Sequence, residues 1–367
     1  MTEVPDLLAD LGALETAAEQ RWDASVRAFI SKGAGTGRGI AANLAAHWKW
    51  ALRSRVLVDV SEVDVATSIL GRPVTVPIMV APSGLHTLVH PDGEVATAAG
   101  AKEAGTIMVL SSGTGRSLED VTSAGGDIWF QLYWGADRAR VRSVVGQAAD
   151  CGCSALCITA DMPVRPLVGA SMRAGIASVA DARPLYILPR GAHLSGGQWD
   201  HDASLTWADL DWMRSITDLP IVIKGVMSPE DAVRAAQAGV DGIIVSNHGG
   251  RSLDTAWGTL DALPEVIEAA SGAGGGPGAG GPGTGGGLEV YVDGGFRHGS
   301  EVLVALALGA RAVLIGRPAL WALTLHGAPG VTGVLATLRY QLAATMAMVG
   351  ARSVAELDES RIRRLQR

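Results

Sequence analysis

Short, unbroken apolar runs recur along the chain, among them IMVAP, LCIT, IVIK, IIVS and AVLIG. Each is followed by a stretch of mixed polar and apolar residues. A strand covered on both faces reads as a continuous apolar run rather than an alternating one, as strands of a parallel sheet do, and strand-then-helix alternation is the mark of βα units. Eight runs fit, at residues 77–82, 107–111, 128–132, 155–159, 220–224, 242–246, 289–293 and 312–316. Helices are predicted at about 93–104, 136–150, 207–217, 229–239, 259–271 and 299–308. The one at 229 opens with Ser228 at the N-cap, Pro229 at the first helical position and Glu230 and Asp231 in the first turn, residues suited to the unpaired N–H groups there. The expected fold is α/β: a (β/α)8 TIM barrel, a single domain over residues 1–367 with an N-terminal helical segment.

Two segments interrupt the alternation. Residues 164–205, after the fourth strand, are too long for an ordinary connection and predict a long loop over the barrel mouth. Residues 271–287, SGAGGGPGAGGPGTGGG, have nothing to bury and predict a flexible, dispensable insert within the domain.

Composition narrows the function classes. With 30 basic against 37 acidic residues and a net charge of −7, the chain has no bulk attraction for a polyanion, so no nucleic-acid partner is expected. The N-terminal stretch MTEVPDLLADLGALETAAEQ lacks a cationic flank and an apolar core, so no export is expected and a cytoplasmic location is. Residues 302–325 are the most apolar, but Arg311, Arg317 and Pro318 break them; they read as barrel strand plus helix, with no membrane partner. Cys151, Cys153 and Cys157 have the wrong spacing for a zinc site, and reduced buried thiols without metal are expected.

In a (β/α)8 barrel the chemistry sits at the carboxyl ends of the strands. Here those ends carry Ser83, Ser111, Gln131 with Tyr133, Thr159 with Asp161, Lys224, Ser246 with His248, Asp293 with Arg297, and Arg317. Any one of them could cap a helix or satisfy a backbone group. A lysine, a histidine and two arginines converging on one end of every strand read instead as a binding and catalytic site. After the seventh and eighth strands, Asp293-Gly294-Gly295-Phe296-Arg297 and Gly316-Arg317-Pro318 combine glycines, which let backbone N–H groups approach an anion, with two guanidinium groups. A phosphorylated cofactor is implied. Neither a dinucleotide fingerprint nor a Walker motif occurs in a strand–loop–helix context.

Several blocks resemble one family in order and spacing: HPDGE (90–94), FQLYW (130–134), the pair Thr159 and Asp161, KGV (224–226), SNHGGRSLD (246–254), VDGGFRHGSEVLVALALGARAVLIGRPALW (292–321) and TMAMVGARS (345–353). The chain resembles the FMN-dependent 2-hydroxy-acid oxidases and dehydrogenases over about residues 20–360. That resemblance implies FMN as cofactor. It implies that Ser111, Gln131 and Thr159, with backbone at Ala81, Pro82, Ser83 and Gly84, bind the flavin ring. Lys224 would lie near its N1 and O2, Ser246 would support it, Asp293 would take the ribityl hydroxyls, and Gly295, Arg297, Gly316 and Arg317 would hold the phosphate. His248 would be the base that abstracts the α-proton, oriented by Asp161, with Tyr133 on the substrate hydroxyl and Arg251 on its carboxylate.

The chain departs from the family at the substrate. A second carboxylate-binding arginine is expected seven residues after Asp161, where Val168 stands, and an N-terminal tyrosine falls on Phe29. Gly113 and Gly84 stand where larger residues are common and enlarge the pocket. The expected reaction is therefore oxidation of a bulky or aromatic 2-hydroxy acid or related α-substituted compound. Oxygen or another electron acceptor would reoxidise the flavin, and the resemblance implies a homo-oligomer, a tetramer. The alternative is an FMN barrel of different chemistry on a substrate without the usual free carboxylate.

Overall fold

The computed structural model describes residues 10–164, 202–273 and 288–365. Among the described residues three helices come first, α1 (Leu11–Arg21), α2 (Ala24–Ser31) and α3 (Arg38–His47), then strand β1 (Trp50–Leu52) and the hairpin β2 (Thr67–Ile69) and β3 (Arg72–Val74). The barrel strands are β4 (Ile78–Val80), β5 (Ile107–Ser111), β6 (Asp127–Tyr133), β7 (Ala155–Thr159), β8 (Ile221–Val226), β9 (Gly242–Val245), β10 (Glu289–Asp293) and β11 (Ala312–Ile315), which close in sequence order. All eight expected strands are present, shifted by at most two or three residues at their ends.

Between them lie α4 (Gly93–Glu103), α5 (Leu118–Ser123), α6 (Arg138–Asp150), α7 (Leu210–Arg214), α8 (Pro229–Gln237), α9 (Thr259–Gly272) and α10 (Gly299–Ala307). α5 has no counterpart in the expected helices because six residues are too few to show a 3.6-residue period. The predicted helix at 207–217 is a 3-10 turn, Trp207–Asp209, leading into the five residues of α7. A final helix α11 (Arg317–Met348) precedes β12 (Ile362–Arg364), which pairs antiparallel with β1.

Helix α11 is long and apolar enough to cross a membrane by length and composition. It is broken at Gly327 (φ 61°, ψ −145°), and its buried residues, Leu320, Leu323, Val331, Val334, Leu338 and Leu342 among them, join the apolar layer between strands and helices. Inside the barrel a second cluster, including Met79, Val109, Trp129, Cys157, Val222, Ile244, Tyr291 and Leu314, fills the lumen. Among the described residues the barrel interior is thus a packed core, which leaves the strand ends as the place for a site. Cys151, Cys153 and Cys157 are free thiols. Burial pushes Cys153 and Cys157 up to about 12, so they are protonated and inert at neutral pH.

Register decides what the mouth contains. Ser111 pairs with Gln131 across β5 and β6, Tyr133 with Thr159 across β6 and β7, and Thr159 with Lys224 across β7 and β8. A parallel ladder with this register brings polar residues from neighbouring strands to one level.

Candidate active site

At that level the side chains bond to one another in two groups. In the first, Ser111 Oγ donates to Gln131 Oε1 (3.0 Å) and Gln131 Nε2 donates to Thr159 Oγ1 (2.8 Å), all three residues buried. In the second, Lys224 Nζ donates to Ser246 Oγ (2.8 Å) and pairs with Asp293 Oδ2 (3.3 Å). Burial alone would lower the lysine's pKa, but the carboxylates of Asp293 and Asp161 outweigh it and hold the ammonium charged. Asp293 Oδ1 is buried with no hydrogen-bond partner, an acceptor facing a missing donor.

Strand β9 ends in the turn Ser246-Asn247-His248-Gly249-Gly250-Arg251. Three successive residues take positive φ, His248 at 60°, Gly249 at 63° and Gly250 at 77°. Left-handed backbone is uncommon for histidine and stores about 1–3 kcal/mol of strain. In return the ring is aimed across the barrel: His248 Nδ1 lies 3.1 Å from Asp161 Oδ1, and Nε2 lies 3.3 Å from Tyr133 Oη. Burial acts to raise the Asp161 carboxyl, but His248 and Lys224 overcome it and the net shift is downward. Asp161 is therefore an anion at neutral pH and accepts from Nδ1–H, which leaves Nε2 as the basic nitrogen. Burial pushes the Tyr133 phenol up to about 12, so it remains a neutral donor.

Arg251, Arg297 and Arg317 are half-buried near one another. Burial lowers Arg317 to about 9, with Arg251 and Arg297 adding repulsion, and burial lowers Arg251 to about 10 and Arg297 as well. Arg317 Nε donates to Ile30 O (3.1 Å) and its two terminal amines to Gly249 O (3.3 Å); Arg297 stacks over Trp321 at 4.6 Å. Gly294 and Gly295 take φ of 102° and 87° beside them. Part-buried guanidinium groups next to turning glycines, with net repulsion at Arg317 that Glu15 and Asp293 do not cancel, suit an anionic ligand.

Residues 18–364 match the model of the FMN-dependent dehydrogenase family. The chain belongs to that family. It is 40% identical over 358 residues to L-lactate oxidase of Nostoc sp., covering 90% of this chain and 92% of that protein. Among solved structures, a variant of mandelate oxidase with (S)-mandelic acid superposes with a TM-score of 0.83 at 37% identity, covering 97% of this chain and 98% of the other. A double variant of flavocytochrome b2 with pyruvate bound gives 0.86 at 31%, covering 98% and 87%. The protein is thus an FMN-dependent oxidoreductase of the 2-hydroxy-acid oxidase and dehydrogenase kind; the alternative of a different FMN chemistry is not the one its relatives carry out.

The donor set fits FMN. Arg297 and Arg317 suit one phosphate, the orphaned Asp293 Oδ1 suits a ribityl hydroxyl, and the Ser111–Gln131–Thr159 chain with Lys224 suits a polar ring edge. The loop Ala81-Pro82-Ser83-Gly84 follows β4 on the same rim. A Cβ built on Gly316 would be 3.5 Å from Ser83 Oγ, which places the β11 end against that loop.

The structure adds to two sequence expectations. Arg251, expected on the substrate carboxylate, also donates from Nη1 to the carbonyls of Phe29 (2.7 Å), Lys32 (2.9 Å) and Ile30 (3.3 Å), capping the negative end of α2. Only its Nε and Nη2 make no bond among the described residues, and the Phe29 ring packs 5.5 Å from the guanidinium. A Cβ on Gly84 would sit 3.3 Å from Gly113 O, so the space these glycines open is smaller than their identities imply. Val168 and residues 274–287 lie outside the described residues. Sequence reasoning missed Asn247, although it sits within SNHGGR, and Asn43, which carries no local signal because its partner is 204 positions away.

Proposed function

We propose that His248 Nε2 is the base that removes the α-proton of a 2-hydroxy acid, that Asp161 orients the ring and balances the charge it acquires, and that Tyr133 donates to the substrate hydroxyl. The observation that carries this reading is the line Tyr133–His248–Asp161, joined at 3.3 and 3.1 Å beside the charged Lys224. FMN, when bound, accepts the two electrons released from the substrate carbon. Lys224 supplies fixed positive charge where negative charge collects, and Arg251 offers its Nε–Nη2 edge to the carboxylate. Ser111, Gln131, Thr159, Ser246 and Asp293 hold the ring and ribityl chain, and Gly295, Arg297, Gly316 and Arg317 the phosphate.

The substrate is a bulky or aromatic 2-hydroxy acid. Phe29 brings an aromatic face beside Arg251 in place of a phenol, and Val168 takes the position where the family resemblance places a second arginine. A carboxylate held by one guanidinium edge forgoes charged bonds of about 1.5–3 kcal/mol each, so apolar contact must carry more of the binding. Oxygen or another electron acceptor reoxidises the flavin; relatives named as oxidases support oxygen. The protein acts in the cytoplasm as a homo-oligomer, away from membranes. Anaerobic stopped-flow reduction with (S)-mandelate and L-lactate tests the reading. Faster reduction by mandelate supports it, and Val168→Arg is expected to shift preference toward lactate; a site that prefers lactate from the outset would overturn the bulky-substrate assignment.

A further inference from the structure

The turn that carries His248 is strained, and something outside it must hold it. Asn247 and Asn43 face each other as a reciprocal amide pair: Asn43 Nδ2 donates to Asn247 Oδ1 (2.9 Å) and Asn247 Nδ2 donates to Asn43 Oδ1 (2.8 Å). Both are 2% exposed. Both amides also bond backbone on either side of the turn. Asn247 Oδ1 also accepts from Gly250 N (2.9 Å), Asn247 Nδ2 also donates to Trp257 O (2.8 Å), and Asn43 Oδ1 accepts from Thr259 N (3.1 Å). The segment before α3 adds two straps, Ala34 N to Gly250 O (2.9 Å) and Thr36 N to Asp254 Oδ2 (2.9 Å).

We propose that Asn43 is a positioning residue for the base: through Asn247 it fixes the left-handed backbone of His248 and so the direction of its imidazole. The inference rests on His248 being the base. A pair this buried, with Asn247 bonded at every donor and acceptor position, is directional, because neither amide rotates without orphaning a buried donor. Arg251, by contrast, is anchored separately on the carbonyls of residues 29, 30 and 32. Loosening the turn should therefore misaim the base while leaving carboxylate binding largely intact, a split that general destabilisation would not produce.

The test uses holoenzyme with L-lactate and (S)-mandelate, each with hydrogen or deuterium at the α-carbon, and His248→Ala as reference. Asn43→Ala is expected to keep FMN and a half-saturating substrate concentration within about threefold. The limiting rate of flavin reduction should fall about ten- to a hundredfold, as about 1 Å of misplacement can do, with a full deuterium isotope effect. If Asn43→Ala is not soluble, Asn43→Ser must show the same split; insolubility of both would assign the pair to folding and overturn the proposal. Parental reduction by Asn43→Ala with an inactive His248→Ala would sink this inference alone. Parental reduction by His248→Ala, or no reduction of unsubstituted enzyme by either acid, would sink the assignment of the base and this inference with it.

Discussion

His248 is placed where its backbone is strained and its two ring nitrogens have different neighbours, a carboxylate at 3.1 Å and a phenol at 3.3 Å. That asymmetry makes one nitrogen a donor to Asp161 and frees the other to take a proton. The ring bonds to Asp161 and Tyr133 and to neither Arg297 nor Arg317, so His248→Ala is expected to retain FMN while flavin reduction slows by about 10²–10⁴-fold, the usual contribution of positioned proton transfer. Flavin stoichiometry with stopped-flow rates checks both halves at once. Asp161 carries a pH consequence. Burial opposes its charge, but His248 and Lys224 depress its pKa overall, so its stabilising contribution is present above the ordinary carboxylate value of about 3.9 and is lost as pH falls through the lower folded-state value. Asp161→Asn should be less stable than the parent at pH 7 and should lose less further stability on acidification below pH of about 4. Denaturant titrations at the two pH values would reveal it, and equal acid slopes would contradict the assignment.

At the scale of elements, the loops that follow the strands do the positioning and the strands only set their level. Gly250 takes φ of 77° with its α-carbon packed against Gly39 and Ile40 of α3. Gly250→Ala meets both a strained backbone and an occupied space, and should destabilise by more than about 1 kcal/mol and slow flavin reduction as well; a variant with parental melting and rates would show that the turn tolerates rearrangement. Helix α9 extends to Gly272, slightly into the stretch expected to be insert. Deletion of residues 275–286 should leave flavin content and turnover nearly unchanged, because closure entropy varies slowly with loop length.

For the whole molecule, FMN is a structural component as well as a reactant. Arg251 and Arg297 repel the Arg317 guanidinium, and with its burial they outweigh the carboxylates of Glu15 and Asp293, so a bound phosphate relieves repulsion that the protein otherwise bears. Excess FMN, at about a hundredfold over its dissociation constant, is expected to stabilise by about 2.7 kcal/mol. Arg317→Met should weaken FMN binding about ten- to a hundredfold, as loss of a charged hydrogen bond does, while lowering the apoprotein's melting temperature far less than the holoprotein's. Melting curves with and without FMN separate the two, and equal losses in both forms would make Arg317 merely structural.

The eight strands and the gathering of polar residues at their carboxyl ends were legible in the sequence, because burial on both faces forces continuous apolar runs and the polar residues stand just after them. The resemblance of SNHGGR and the DGGFR and GRP blocks further identified the cofactor. What the sequence did not disclose is which polar groups would meet. Asn43 and Asn247, the capping of α2 by Arg251, and the contact of Gly84 with Gly113 join residues far apart in the chain, and such pairings depend on how helices and loops seat on the barrel. α5 escaped because it is too short for periodicity, and α11 was read only in part because Gly327 interrupts it. Local pattern determines which segments are buried and where chemistry collects; the closed barrel, by register and by the docking of α3 on the β9 turn, decides the direction in which His248 points.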